Sequence, residues 1–161
     1  MQYNYWTDGA ASLNKINEQY VREAGGWAWA LVQDDKLITS ANGGEAITTN
    51  NAMELTAINQ ALRHACKNTA QGDMVYIYSD SAYCINIFTS WVSGWKTNEW
   101  TRGKKHEPIE NLDLIKEIDE MVFSLENSFI GVRWVKVKGH SNDKWNNYVD
   151  ELAVKAKKEI Q

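Results

Sequence analysis

The pattern of apolar and polar residues predicts strands in the first part of the chain. Residues 2–7 alternate and end at an Asp-Gly pair, and the apolar stretches 26–33 and 36–41 flank an Asp-Asp pair. Alternation with a period of two, bounded by turn residues, is typical of half-buried strands joined by turns. The first forty residues therefore predict a sheet that begins with antiparallel strands.

The rest of the chain alternates between helical and strand-like spacing. In residues 51–67, Leu55, Ile58 and Leu62 recur at the spacing of one helix face. The other predicted elements are a strand over 74–79, helices over 81–92 and 112–125, a strand over 130–138 and a helix over 146–160. This order indicates an α/β fold with a mixed sheet flanked by helices.

Length and composition narrow the class of protein. The chain has 161 residues, of which 43% are hydrophobic and 24% charged, with one proline, so one globular domain over 1–161 is expected and disordered or fibrous classes are excluded. The longest apolar run is too short to span a membrane, and the first residues lack the basic start of a signal peptide. Cys66 and Cys84 form neither a disulfide framework nor a metal spacing. We therefore expect a cytoplasmic monomer with no membrane partner.

Charge distribution is more informative than total charge. A net charge of −4 argues against a globally basic nucleic-acid binder, but a local patch is compatible with it. One stretch combines aromatic with cationic residues. Its members are Trp91, Trp95, Lys96, Trp100, Arg102, Lys104 and Lys105.

Four acidic residues stand where surface acids are less expected. Asp8 and Asp80 end predicted strands, Glu54 begins a helix and Asp150 lies within the last helix. Each of the first three also has a structural explanation: a turn at Asp8, a helix cap at Asp80, and a capping box in which Glu54 pairs with Asn51.

Asp150 is harder to explain as a surface residue. It lies at the edge of the apolar stripe of the last helix and has no basic residue three or four positions away, whereas Glu151 has Lys155 as an i+4 partner. If the four carboxylates converge, their repulsion requires cations. Ligation by oxygen alone suits magnesium or manganese rather than zinc.

Five short motifs, in this order, resemble those of ribonuclease H, type 1. They are Thr-Asp-Gly at 7–9, Thr-Asn-Asn-Ala-Met-Glu-Leu at 49–55, Ser-Asp-Ser at 79–81, Val-Lys-Gly-His at 137–140 and Asp-Glu-Leu-Ala at 150–153. The resemblance covers nearly the whole chain. It implies a five-stranded mixed sheet in which three antiparallel strands are followed by parallel additions. It also implies an endonuclease that cuts the RNA strand of RNA/DNA hybrids.

The resemblance implies catalysis by two Mg²⁺ ions, with Mn²⁺ as a substitute, and products with 5′ phosphate and 3′ hydroxyl ends. Asp8 would bridge both ions, Asp150 would complete the water side, and Glu54 with Asp80 would hold the leaving-group side. His140 would assist proton transfer or product release, since a histidine changes charge near neutrality. The alternative for His140 is a loop histidine satisfied by solvent.

Substrate contacts are expected from two groups of residues. Reading 2′-hydroxyls distinguishes a hybrid from duplex DNA, and amide side chains both donate and accept, which favours Asn14, Asn50 and Asn51, with Thr49 near a DNA phosphate. The basic aromatic stretch lies where bacterial members carry a protrusion that holds the hybrid. Its expected contacts are Trp95, Lys96, Trp100, Lys104 and Lys105, whereas Trp91 is expected to pack inward.

Two other functions are compatible with the residues. One is a nuclease or strand-transfer domain of the same fold that acts on another substrate. The other is a non-catalytic nucleic-acid-binding module in which the acids cap helices and only the basic aromatic stretch acts. The chain also departs from the family pattern at Ala52, Ala82 and Asn147, where bacterial members carry Arg, Gln and Glu.

Overall fold

The computed structural model describes residues 1–16 and 19–161, with the backbone alone for 13–16 and 19–22. Its strands are β1 (Gln2–Ile16), β2 (Gln19–Gln33), β3 (Lys36–Thr48), β4 (Met74–Ser79) and β5 (Gly131–Lys136). Its helices are α1 (Asn50–Asn68), α2 (Ala82–Asn86), α3 (Val92–Thr97), α4 (Leu112–Asn127) and α5 (Lys144–Ile160). A π-helical segment, Ile87–Trp91, joins α2 to α3.

The strands form one mixed sheet in the order β3-β2-β1-β4-β5. β1 pairs antiparallel with β2, and β2 with β3, whereas β4 pairs parallel with β1 and with β5. The predicted arrangement of three antiparallel strands followed by parallel additions is confirmed. Among the described residues, no helix is long and apolar enough to cross a bilayer.

The first three strands are longer than their side-chain pattern predicts. β1 continues past Asp8 to Ile16, although the alternation ends at Asp8, and β3 continues to Thr48 rather than ending at 41. Backbone groups carry this pairing: Gly9 lies opposite Trp27, and Gly26 opposite Gly44. Glycine and alanine fit a ladder without contributing the periodic signal that marks a strand in sequence. The prediction of a turn at Asp8-Gly9 is therefore wrong.

The sheet separates two apolar layers, which β2 illustrates by alternation. Ala28 and Ala30 face α5, whereas Trp29 and Leu31 belong to the larger core under α1 and α4. Small residues on the α5 side let that helix approach the backbone closely. A Cβ on Gly26 would overlap the carbonyl oxygen of Ala153 in α5.

The helix predicted over 81–92 is interrupted. After α2 the chain widens into the π-helical segment before α3 begins at Val92. A wider turn changes the angle at which later residues leave the axis. Trp91, which regular helical spacing turns inward, is 41% exposed, so the expectation that it packs inward is wrong.

Candidate active site

Three carboxylates from separate elements meet at one end of the sheet. Thr7 of β1 pairs with Ser79 of β4 in parallel register, so Asp8 and Asp80, each one residue further on, emerge side by side. Glu54 comes from the start of α1, which packs beside β1. Carboxylate oxygens of Asp8, Glu54 and Asp80 all lie within 4.8 Å of one another.

Glu54 is held by the backbone of β1. The amide N–H of Gly9 donates to Glu54 Oε1, and a Cβ on Gly9 would overlap the backbone of Met53 and Glu54. The cap of α1 is Thr49, whose Oγ1 accepts from Ala52 N at 3.1 Å. The capping-box alternative for Glu54 is therefore wrong, because its carboxylate points across to β1.

Asp80 does not cap the helix that follows it. Ser81 is the cap of α2, and its Oγ accepts from Cys84 N at 3.1 Å. Asp80 Oδ2 instead lies 3.5 Å from Nδ2 of Asn146, a side chain of α5 that is 1% exposed. The sequence analysis missed Asn146; its signal was a polar residue on the buried stripe, one turn before Asp150.

Asp150 joins the cluster from α5. It is half-buried, and its carboxyl lies within hydrogen-bonding reach of Asp8. The helix begins at Asp143, whose Oδ1 accepts from Trp145 N and Asn146 N at 3.1 and 2.9 Å. The four predicted acids therefore come together, with Asp150 beside the group of three.

The electrostatics of this site favour a bound cation. Burial, reinforced by the neighbouring carboxylates, raises the pKa of Asp8 far above its ordinary range. Burial likewise raises the pKa of Glu54, against the hydrogen bonds from Asp8 and the Gly9 amide that lower it. Crowded carboxylates either keep protons or bind a positive ion. The donor set consists of carboxylate oxygens, which fits a hard divalent cation such as Mg²⁺ or Mn²⁺.

His140 lies on a turn beside Asp80. It is exposed and adopts a left-handed backbone conformation with φ of 54°. Its neighbour Gly139 passes so close to the cluster that a Cβ there would lie 3.2 Å from Asp80 Oδ2. The turn that carries His140 therefore passes beside Asp80.

The start of α1 lies next to β1 just beyond Asp8. Asn50 Oδ1 accepts from Ala11 N at 3.3 Å, and both Asn50 and Asn51 are exposed. The side chain of Asn14, the other predicted amide contact, lies outside the described residues. Thr49 lines a cavity of about 390 Å³ together with Ile47, Thr48, Ala52, Glu110 and Asn111.

The basic aromatic stretch contains a second cavity. The rings of Trp91 and Trp95 lie 5.9 Å apart, and Tyr83 packs edge-on against Trp91. These three side chains line a cavity of about 450 Å³ together with Arg102, Ile109 and Glu110. Sequence analysis missed Tyr83, which follows Asp80 by three residues.

The predicted cationic contacts differ in their surroundings. Lys96 Nζ lies 2.7 Å from Asp119 Oδ2, so its charge is already partly neutralised by α4. The ring of Trp100 packs on the core, with the ammonium of Lys116 5.4 Å from its centroid. Lys104 and Lys105 are exposed. The two lysines at the end of the stretch are thus better placed for a polyanion than Lys96.

The sequence as a whole is similar to known ribonucleases H. The family model described as RNase H matches residues 1–158. Ribonuclease H of Moorella thermoacetica is 40% identical over 149 residues, which cover 92% of this chain and 86% of that protein. Ribonuclease H of Treponema denticola is 34% identical over 168 residues, covering 97% of each.

Solved structures show the same fold. The PFV RNase H domain matches with a TM-score of 0.77 at 20% identity, over 99% of this chain and 97% of that one. LC9-RNase H1, described as a type 1 RNase H with the type 2 active-site motif, matches with a TM-score of 0.74 at 25% identity, over 99% and 74%. LC11-RNase H1, solved in complex with an RNA/DNA hybrid, matches with a TM-score of 0.63 at 16% identity, over 98% and 97%.

Proposed function

Since this chain belongs to the ribonuclease H family, whose members hydrolyse the RNA strand of RNA/DNA hybrids, we propose that it does so with two Mg²⁺ ions held by Asp8, Glu54, Asp80 and Asp150. The observation that carries this proposal is the convergence of acids from β1, α1, β4 and α5 at one end of the sheet. Mn²⁺ has the same preference for oxygen ligands and would substitute.

Each acid has a role that follows from its position. Asp8 interacts with all three of the other acids, so it would contact both ions. Asp150 would complete the site that positions the attacking water, and Glu54 with Asp80 would complete the site next to the leaving 3′ oxygen. When bound, the two ions lower the pKa of water and neutralise charge that develops on the phosphate. The products would carry 5′ phosphate and 3′ hydroxyl ends.

His140 would move a proton or help the product leave. Its exposed position on the turn that passes Asp80 gives it access to the cleaved phosphate without burying it among the acids. An imidazole can both accept and donate a proton near neutral pH.

Discrimination between hybrid and duplex DNA would come from the exposed amides at the start of α1. Asn50 contacts β1 just past Asp8, and Asn51 is its exposed neighbour on α1. Both would bond 2′-hydroxyls as donors or acceptors, and Asn14 would join them. Thr49 would contact a DNA phosphate, and Trp95, Lys96, Trp100, Lys104 and Lys105 would hold the hybrid beyond the cut site.

Cytoplasmic location and the monomeric state stay predictions from the sequence.

The experiment compares three duplexes of one sequence. RNA/DNA hybrid, duplex RNA and duplex DNA, each with a labelled strand, are incubated with the protein in Mg²⁺, in Mn²⁺ and with a chelator. We expect cleavage of the RNA strand of the hybrid alone, its loss with chelator, and RNA fragments whose 5′ phosphate is removable by phosphatase. Cleavage of the hybrid in the presence of chelator, or equal cleavage of duplex DNA, would contradict the proposal.

A further inference from the structure

Two stacked aromatic rings lie on adjacent strands just before the acid cluster. Trp6 pairs with Tyr78 in the parallel register of β1 and β4, and their ring centroids are 3.9 Å apart with the planes at 4°. Asp8 follows Trp6 by two residues, and Asp80 follows Tyr78 by two. Because side chains alternate between the faces of a strand, Trp6 stands on the same face of β1 as Asp8.

The start of α5 lies over this end of β1 and β4. Trp6 packs against the apolar cluster that includes Val149 of α5. Asn146, three residues earlier on the same helix, is buried and brings its Nδ2 to 3.5 Å from Asp80 Oδ2. Trp6 and Asn146 are therefore neighbours between the helix and the sheet.

Both of these side chains carry a buried polar atom without a hydrogen-bond partner among the described residues. Nε1 of Trp6 is a donor, and Oδ1 of Asn146 is an acceptor. The third such atom in the described part of the chain, Nδ2 of Asn59, belongs to α1 in the other apolar layer. Buried polar groups are paired in folded proteins, because leaving them unpaired costs stability. The indole and the amide are complementary and can satisfy each other.

The orientation of the Asn146 amide matters for Asp80. With Nδ2 towards Asp80 the amide donates to the carboxylate, whereas with Oδ1 in that place it would repel the carboxylate. We propose that Trp6 is a positioning residue, whose Nε1–H is linked through one buried water to Asn146 Oδ1 and so keeps Nδ2 towards Asp80. A bridging water fits, because the two atoms do not bond directly and buried waters join groups of this kind.

The proposal rests on the function given above, because it concerns the cation that Asp80 would hold. A carboxylate kept in one orientation loses less freedom when the cation binds. Loss of the indole N–H should therefore weaken cation binding, but only while Asn146 is present to transmit the effect. A ring that merely fills space against Tyr78 would act independently of Asn146.

The test measures binding of Mn²⁺ to the full chain by electron paramagnetic resonance of the free ion, without nucleic acid. Trp6→Phe keeps an aromatic ring and removes the N–H, and we expect the Kd for Mn²⁺ to rise about threefold. Asn146→Ala should raise it about fivefold, and the double variant should bind no more weakly than Asn146→Ala alone. Independent effects would instead multiply to about fifteenfold.

Cleavage gives a second readout for the same variants. The Mn²⁺ concentration at half-maximal cleavage should rise by the same factors, while KM for the hybrid changes by less than about twofold. Circular dichroism checks that each variant is folded, and Asn146→Ser replaces Asn146→Ala in the cycle if the alanine variant does not fold.

The matched control is Trp134→Phe, which removes an indole N–H from a half-buried ring in the other layer. That ring stacks on Phe88 with 4.7 Å between centroids, and we expect its replacement to change the Kd for Mn²⁺ by less than about twofold. Equal effects of Trp6→Phe and Trp134→Phe, or effects of Trp6→Phe and Asn146→Ala that multiply, overturn the inference and leave the proposed function intact. If the parent chain neither binds Mn²⁺ nor cuts the hybrid, the proposed function fails instead.

Discussion

The acid cluster and the basic aromatic stretch, residues 91–105, are built in different ways. The cluster takes side chains from β1, α1, β4 and α5, and two of its acids, Asp8 and Glu54, are each 4% exposed. The stretch is held by neighbours in sequence: Asn98 Nδ2 donates to the carbonyl oxygens of Thr101 and Gly103, at 3.1 and 2.9 Å. The cluster therefore depends on the packing of four elements, whereas the stretch combines local hydrogen bonds with the packing of Trp95 and Trp100 on the core.

Because of this difference, we expect the cluster to determine the rate of cleavage and the stretch to determine the affinity for the hybrid. Side chains fixed by a packed sheet keep the spacing that a metal site needs, whereas exposed lysines and rings contribute attraction without exact geometry. A change in the cluster should alter the rate of cleavage, and a change in the stretch should alter binding. The following substitutions test that separation, from the largest expected effect to the smallest.

Asp8→Asn should abolish cleavage of the hybrid and leave hybrid binding almost unchanged. Asp8 faces the other three acids, so its loss disrupts both proposed ion positions, and we expect cleavage to fall by at least about a thousandfold. Hybrid binding should change by less than about threefold, since the exposed cations are untouched. Single-turnover cleavage and anisotropy measure the two quantities. Asp8→Asn and Asp80→Asn proteins that both still cut in Mg²⁺ would refute the metal site.

Gly9→Ala should damage the cluster without changing any acid. The added methyl group would overlap the backbone of α1 at Met53 and Glu54, and we expect a loss of about 2 kcal/mol in the free energy of unfolding, measured with urea. The control is Gly94→Ala in α3, where a Cβ has nothing within 4 Å, with an expected gain of about 0.5 kcal/mol. Similar values for the two variants would show that α1 and β1 are not in close contact.

Lys104→Glu combined with Lys105→Glu should weaken hybrid binding and leave the rate of the cleavage step almost unchanged. We expect KM for the hybrid to rise about tenfold at low salt and kcat to change by less than about twofold, with the difference shrinking as salt is added. Lys67→Glu, at the far end of α1 from Thr49, is the control. A fall in kcat at unchanged KM would indicate that the stretch takes part in chemistry.

The pH dependence of the metal-free protein gives the smallest effect. The raised pKa values of Asp8 and Glu54 mean that the folded state retains protons that the unfolded chain releases above about pH 4. The stability from these protons is complete below that pH and is lost as pH rises, so the Tm in chelator should fall by about 3 °C between about pH 5 and 8. Mg²⁺ should restore more stability at the higher pH, and Asp8→Asn should flatten the slope relative to the parent chain.

Sequence reasoning located the acids because their chemistry is local to short motifs. Asp8, Glu54, Asp80 and Asp150 each stand in a recognisable pattern, and the order of those patterns indicated the sheet that brings them together. The sequence could not decide whether Asp8, Glu54 and Asp80 act as turn or cap residues. Asp80 and Ser81, for example, are both good helix caps, so the spacing alone does not say which of them caps α2. Only the three-dimensional structure shows that Thr49 and Ser81 cap these helices.

The surroundings of the acids were less predictable. Asn146 contacts Asp80 across the sheet end, and no sequence spacing relates residues 66 positions apart. Trp91 follows regular helical spacing after Cys84 and Ile87, but the π-helical segment turns it outward. Lys96 reads as a free cation, although Asp119 neutralises it from another helix. In each case the deciding partner is distant in sequence or the helix is irregular.

Gly26 leaves no side chain between β2 and the last helix. Because Ala153 rests on it directly, the height of α5 above β2 is set by main chain against main chain rather than by side chains that can repack. Asp150 lies one turn earlier on the same helix. Replacing Gly26 with progressively larger residues would move α5, and with it the Asp150 carboxylate, further from the sheet. The distance of Asp150 from the other acids could thus be varied by substitutions at a position that contacts none of them.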